Sequence, residues 1–211
     1  MRYSDVVWDF NGTIINDVEA SISSVNDMLI KRGRQKTDLL EYYEKIEMPI
    51  VRYYEKMFDL SEDPLEILVK EYQEGYKRHF SEITLSDSIV ETLSELQKRG
   101  VRQIILSSFK TEKIESLCEK FSIRQYFDEI LGADNNRAES KIERGKSFAN
   151  SLQDKKRAVA VGDLLHDWET AEAMGIDCIL YSKGHQAKKD LLTSGVYVAD
   201  SIKEVLNRIL L

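Results

Sequence analysis

VVWDFNGTIIND, residues 6–17, is an apolar run that stops on an acidic residue and passes through Asn11 and Gly12 before resuming. Two readings are open here. In one, Val6, Val7 and Trp8 form a buried strand, and Asp9 to Gly12 is the turn that ends it. In the other, Asp9 is chemical: a carboxylate at the carboxyl end of a parallel strand sits where open α/β sheets bind ligands. The glycine after it lets backbone N–H groups approach an anion. The rest of the chain decides between them.

Further apolar runs read as strands at 102–108, 129–133, 157–163 and 178–182, and more weakly at 196–199. Helical periodicity fills the intervals 88–99, 111–121, 139–152, 167–174 and 201–210. This alternation predicts an α/β fold, a Rossmann-like parallel sheet covered on both faces, with functional groups gathered at the carboxyl ends of the strands.

From about residue 16 to 85 no strand is evident, and four or so amphipathic helices are expected instead. Residues 1–15 and 86–211 are therefore assigned to the α/β core and 16–85 to an inserted α-helical cap. Tyrosines 42, 43, 53, 54, 72 and 76 fall at helical spacing there and read as core packing.

The strand ends carry a consistent set of polar groups. Strand one ends at Asp9, the run RQIILSS ends at Ser107 and Ser108, a loop after the third run leads to Lys141, and VGDLLHD supplies Asp163 and Asp167. In a parallel sheet these positions share one edge. Three clustered carboxylates repel unless a cation neutralises them, and hard oxygen ligands of this kind suit Mg²⁺, which commonly shares a substrate phosphate. Lys141 and the Ser107 hydroxyl would hold the other phosphate oxygens. Asp9, facing a phosphorus screened in this way, can act as a nucleophile.

Composition narrows the alternatives. The 211 residues carry 30 basic and 37 acidic side chains, a formal charge of −7, which disfavours nonspecific binding to nucleic acid or anionic membrane. The acidic N-terminus lacks the apolar stretch of a signal peptide, and no apolar run is long enough to cross a bilayer, so a cytoplasmic protein is expected. Cys118 and Cys178 lack metal-ligand spacing and read as buried small residues. A small phosphorylated metabolite is the expected partner, and the protein itself is expected to be a monomer or homodimer.

With these residues in place, the chain resembles the phosphatase branch of the haloacid dehalogenase (HAD) superfamily, specifically its phosphoglycolate phosphatase-like and β-phosphoglucomutase-like members with a helical cap. DFNGT at 9–13 is similar to the family's DxDGT, Ser107 to its second motif, Lys141 to its third, and GDLLHD at 162–167 to its GDxxxD. The resemblance implies that Asp9 is the nucleophile. It also implies that Asp9, the backbone carbonyl of Asn11 and Asp163 bind Mg²⁺, with Asp167 ligating through water or orienting Lys141. Gly12, Thr13, Ser107, Ser108 and Lys141 would bind the phosphate. Lys110 resembles a phosphate-contacting position, and Arg52 lies where family caps carry a specificity loop. For both of these the surface reading stays ahead. His166 is expected to face solvent.

The departure is Asn11. The phosphatases place there the aspartate that protonates the leaving alcohol and activates water, and an amide does neither, which forfeits about 10² to 10⁴ in rate. The expected function is an Mg²⁺-dependent phosphohydrolase working through an aspartyl phosphate and impaired by Asn11. The alternative is a weak or inactive member of the fold that binds a phosphorylated ligand or a protein partner.

Overall fold

The computed structural model describes residues 2–133 and 141–211. Its backbone divides into two compact units, one formed by Met1–Ile15 with Leu85–Leu211, the other by Asn16–Thr84.

The first unit opens with β1 (Asp5–Trp8) and resumes after the second unit with α5 (Ile89–Lys98) and β4 (Arg102–Lys110). It continues through α6 (Thr111–Lys120), β5 (Glu129–Ala133), α7 (Ile142–Ala149), β6 (Ala158–Gly162) and α8 (Leu165–Met174). β7 (Asp177–Tyr181), α9 (Lys188–Leu191), β8 (Tyr197–Ala199) and α10 (Ile202–Leu210) complete it. Six of its strands form a parallel sheet in the order β5-β4-β1-β6-β7-β8. β1 is thus flanked by β4, which continues the sheet one way, and β6, which continues it the other. The strand order reverses beside β1, and in open α/β sheets the ligand crevice lies at the carboxyl ends of such a switch point.

Burial on both faces explains why β1 reads as a continuous apolar run rather than an alternating one. Val6, Val7 and Trp8 are all buried. Val7 packs with Ile104, Leu106, Phe148 and Met174. The Trp8 indole donates to Gln103 Oε1 at 3.3 Å, and the buried Gln103 amide donates in turn to the carbonyls of Leu93 (2.9 Å) and Tyr126 (3.2 Å). Those bonds satisfy polar groups whose burial unpaired would be costly.

The second unit holds α1 (Val18–Lys31), α2 (Leu39–Lys45), α3 (Ile50–Met57) and α4 (Leu65–Arg78). Val25, Met28, Tyr42, Tyr53, Tyr54, Met57 and Leu68 form its core. The rings of Tyr42 and Tyr53 meet edge to face at 5.6 Å, the geometry their quadrupoles favour. The tyrosines at helical spacing are packing residues.

Two short strands, β2 (Ile15–Asn16) and β3 (Thr84–Leu85), pair with each other at the two borders of the insertion. The 16–85 interval reads as strandless because a two-residue strand leaves no alternation to detect. α8 begins two residues before the periodic stretch because its first turn is built from Asp167 capping, not from apolar spacing. The predicted helix at 139–152 is seen as Ile142–Ala149; its first two positions, and the loop leading to Lys141, lie outside the described residues. Cys118 in α6 and Cys178 in β7 are both free. Among the described residues no helix is long and apolar enough to cross a membrane.

Candidate active site

Each carboxylate of the site comes from a strand end. Asp9 follows β1, and its N–H still donates to the Val161 carbonyl of β6 at 2.7 Å, which prolongs the ladder to the site. Asp163 follows β6, and Asp167 lies in the first turn of α8. One oxygen of each can be chosen so that all lie within 4.8 Å of one another.

Lys141 immediately precedes α7 and is buried among them. Its ammonium donates to Asp9 Oδ1 at 2.5 Å and to the Leu106 carbonyl at 3.1 Å, and pairs with Asp167 Oδ1 at 2.6 Å. Asp9 Oδ2 receives no hydrogen bond among the described residues.

The loop around Asp163 is held from three sides. Thr13 Oγ1 donates to its Oδ1 at 3.0 Å, and the His185 backbone N–H to its Oδ2 at 2.6 Å. Asp167 Oδ2 accepts the N–H groups of Asp163 and Leu164, both at 2.9 Å, reaching back to free helix donors as a capping-box carboxylate does. Gly12 stands at φ +73°, and a Cβ there would lie 2.3 Å from Asp163 Oδ2 and 2.6 Å from the His185 ring. Both the backbone sign and the close approach exclude any side chain.

Burial pushes the Asp9 carboxyl well above the usual carboxylate range; Lys141 opposes this and Asp167 and Asp163 reinforce it. Asp163 is pushed up to about 6, again chiefly by burial, against the pull of His185. For Lys141 burial alone would favour the neutral amine, but Asp167 and Asp9 outweigh it and hold the group above its ordinary value. Three carboxylates around one ammonium form a cluster short of positive charge. Its donor set, hard oxygens at close quarters, fits a divalent cation of the Mg²⁺ kind.

Ser107 is buried on β4, and its Oγ accepts the Phe109 N–H at 3.1 Å. Ser108 follows it and is half-buried, as is Asn11, whose backbone bridges to Ile15. Lys110 closes β4 without an ion pair among the described residues. Arg52 belongs to α3 of the other unit, where it is largely exposed and pairs with Glu47 at 3.0 Å. The expectation for His166 is corrected: its side chain is only 12% exposed, with Nδ1 3.1 Å from Glu169 and Nε2 buried without a partner among the described residues. The first turn of α8 folds the ring against its own helix rather than outward.

Reasoning from sequence missed Gly184, His185, Gln186 and Arg144. Gly184 admits Asp163 where a Cβ would lie 2.2 Å from its Oδ2, Gln186 Oε1 accepts the Leu165 N–H at 2.7 Å, and Arg144 donates to the Ser107 carbonyl at 2.8 Å. A Gly-His pair just after a strand was the one available signal for the first two of these.

Comparison with known proteins places the chain in a family. The sequence model of the haloacid dehalogenase-like hydrolase family matches residues 6–181. The tyrosine-protein kinase PtkA of Mycobacterium tuberculosis is 27% identical over 85% of this chain, which spans only 62% of that protein's length. Its solved structure has a TM-score of 0.78 at 25% identity, covering 98% of both chains. A phosphoglycolate phosphatase of Pseudomonas savastanoi is 23% identical over 95% of this chain and 78% of its own length. A haloacid dehalogenase-like hydrolase of Streptococcus pneumoniae shares the fold, with a TM-score of 0.83 at 20% identity over 98% of each chain.

Proposed function

Since the chain belongs to the haloacid dehalogenase-like hydrolases, we propose that it is a phosphohydrolase for a small phosphorylated metabolite, with Asp9 as its nucleophile. The observation that carries this reading is the pairing of Asp9 with Lys141 at 2.5 Å inside the three-carboxylate cluster. One oxygen of Asp9 is fixed by the ammonium, while Oδ2 is left for attack.

In the first step Asp9 Oδ2 forms a bond to phosphorus as the ester P–O bond breaks, giving an aspartyl phosphate and an alcohol or alkoxide. In the second, water attacks phosphorus and the Asp9–phosphorus bond breaks, releasing orthophosphate and restoring the carboxylate. Lys141, the Ser107 hydroxyl, Ser108 and the backbone N–H groups of Gly12 and Thr13 would hold the transferring phosphate. A bound Mg²⁺, held by Asp9, the Asn11 carbonyl and Asp163, with Asp167 steadying Lys141, would screen the repulsion between carboxylates and phosphate.

Asn11 limits the chemistry. Its amide cannot protonate the leaving oxygen, so the best substrates are those whose leaving groups need little protonation, such as acyl and aryl phosphates. Asn11 also favours the second reading, a protein that binds a phosphorylated ligand without turning it over.

The test is a phosphate-ester panel assayed for Mg²⁺-dependent orthophosphate release. The parent is expected to hydrolyse acyl or aryl phosphates, and Asp9→Asn to abolish that release while keeping the fold. If the parent and Asn11→Asp both bind Mg²⁺ and orthophosphate yet release nothing from any ester, the binding reading replaces the enzymatic one.

A further inference from the structure

Lys141 and Arg144 stand three residues apart, so they lie one above the other across a single helical turn. They take consecutive carbonyls of β4: Lys141 binds that of Leu106 at 3.1 Å, and Arg144 Nη2 that of Ser107 at 2.8 Å. The second contact falls where β4 has lost its neighbours. Pairing with β1 extends only to Ile105, and pairing with β5 runs to Leu106, then shifts register before resuming at Lys110. Ser107 to Phe109 therefore lie outside the paired registers on both sides of β4.

The guanidinium anchors this segment through the Ser107 carbonyl. A planar trans peptide whose carbonyl is held has its N–H direction set as well, and Ser107 Oγ is steadied from the other side by the Phe109 N–H. Arg144 also keeps its Nε buried without a partner among the described residues.

We infer that Arg144 is a positioning residue for phosphate recognition: its guanidinium fixes the Ser107–Phe109 turn so that the Ser107 hydroxyl and the adjoining peptide meet the phosphate. This rests on the phosphohydrolase reading of the site, since a phosphate must bind there for the turn to matter. The chemistry is that of a charged donor holding a carbonyl, so its loss should weaken binding about tenfold.

The experiment is a double-mutant cycle on orthophosphate binding by titration calorimetry with Mg²⁺ present, using the parent, Arg144→Met, Ser107→Ala and the double variant. Arg144→Met and Ser107→Ala are each expected to raise Kd about tenfold. The double variant is expected to be no more than about threefold worse than either single one, because Arg144 acts through the turn that carries Ser107. Arg144→Lys, whose ammonium still donates to the carbonyl, should recover most of the affinity. Losses that multiply in the double variant, or an unchanged Kd in Arg144→Met, overturn the inference while leaving the phosphate site in place. A parent that binds no orthophosphate overturns the site and the inference together. Should Arg144→Met fail to fold, as circular dichroism would show, Arg144→Gln takes its place in the same cycle.

Discussion

Asp167 and Lys141 are joined so that one buried carboxylate does two things. Its Oδ1 lies 2.6 Å from the ammonium, while its Oδ2 accepts the N–H groups of Asp163 and Leu164 at 2.9 Å. The cation that faces Asp9 is thereby tied to the loop that carries Asp163, and charge and backbone are positioned by the same group.

Removing the cation should therefore cost the fold as well as the site. Lys141→Met leaves Asp9 and Asp167 buried without their counter-charge, and breaking a buried pair in this way typically costs about 3–5 kcal/mol. Urea unfolding followed by tryptophan fluorescence measures it. Both tryptophans, Trp8 and Trp168, lie in the α/β unit, so the signal reports that unit alone. A midpoint within 1 M of the parent's at unchanged slope would contradict the importance given to this pair.

Two glycines separate close approach from backbone strain. At Gly184 a Cβ would meet Asp163 Oδ2 at 2.2 Å, whereas Gly195, at φ +74°, has nothing within 4 Å. Gly184→Ala should displace Asp163 and weaken Mg²⁺ binding at least about tenfold, while Gly195→Ala should cost about 1 kcal/mol of stability and leave Mg²⁺ affinity unchanged. Calorimetric Mg²⁺ titration of both variants checks this, and equal affinities would show that Gly184 does not shape the proposed Mg²⁺ site.

The contrast also shows what a sequence makes visible. Asp9, Ser107 and Asp163 were legible because each ends or interrupts a short apolar run, and a parallel sheet collects such ends on one edge. Asp167 was legible in the run GDLLHD, and Lys141 through its resemblance to the family's third motif. Gly184 and Arg144 act by touching Asp163 and the Ser107 carbonyl across sequence gaps that leave no periodicity behind. β2 and β3 were missed for a related reason: two residues are too few to alternate. The helical insertion was readable as helices because tyrosines 42, 43, 53, 54, 72 and 76 fall largely at helical spacing, and Val25, Met28, Tyr42, Tyr53 and Leu68 meet in one core.

In that helical unit, His79 sets a dependence of stability on pH. Burial would lower its pKa, but the contacts with Glu82 (2.7 Å) and Asp27 (3.1 Å) outweigh this and raise it above 6.5. A raised folded-state pKa means that the stabilisation is complete below about pH 6.5 and is lost as pH climbs through the folded value. His79→Gln should therefore lower the thermal midpoint at pH 5.5 and have little effect at pH 8.5. The effect is small, because Asp27 and Glu82 are partly exposed and screened by solvent. Circular dichroism melts at the two pH values decide it; an equal loss at both would show that the imidazole contributes packing rather than charge.

Asn11 gives the sharpest prediction because the fault it introduces depends on the substrate. An amide lacks a proton equilibrium near neutral pH, so the lost contribution scales with how much protonation the leaving oxygen requires. For an alkyl ester, where the departing alkoxide is strongly basic, Asn11→Asp should raise turnover by about 10² to 10⁴. For an aryl or acyl phosphate, whose leaving group departs as a weak base, the first step needs no acid, and the gain should shrink to what base assistance of the attacking water provides. The measurement is kcat for a graded series of leaving groups on the parent and Asn11→Asp, plotted against leaving-group pKa. The parent should show a steep dependence and Asn11→Asp a shallow one, with the gap narrowing at the most acidic leaving groups to what base assistance of the water provides. Parallel lines would mean that residue 11 does not transfer the proton, and that some other group near Asp9 does.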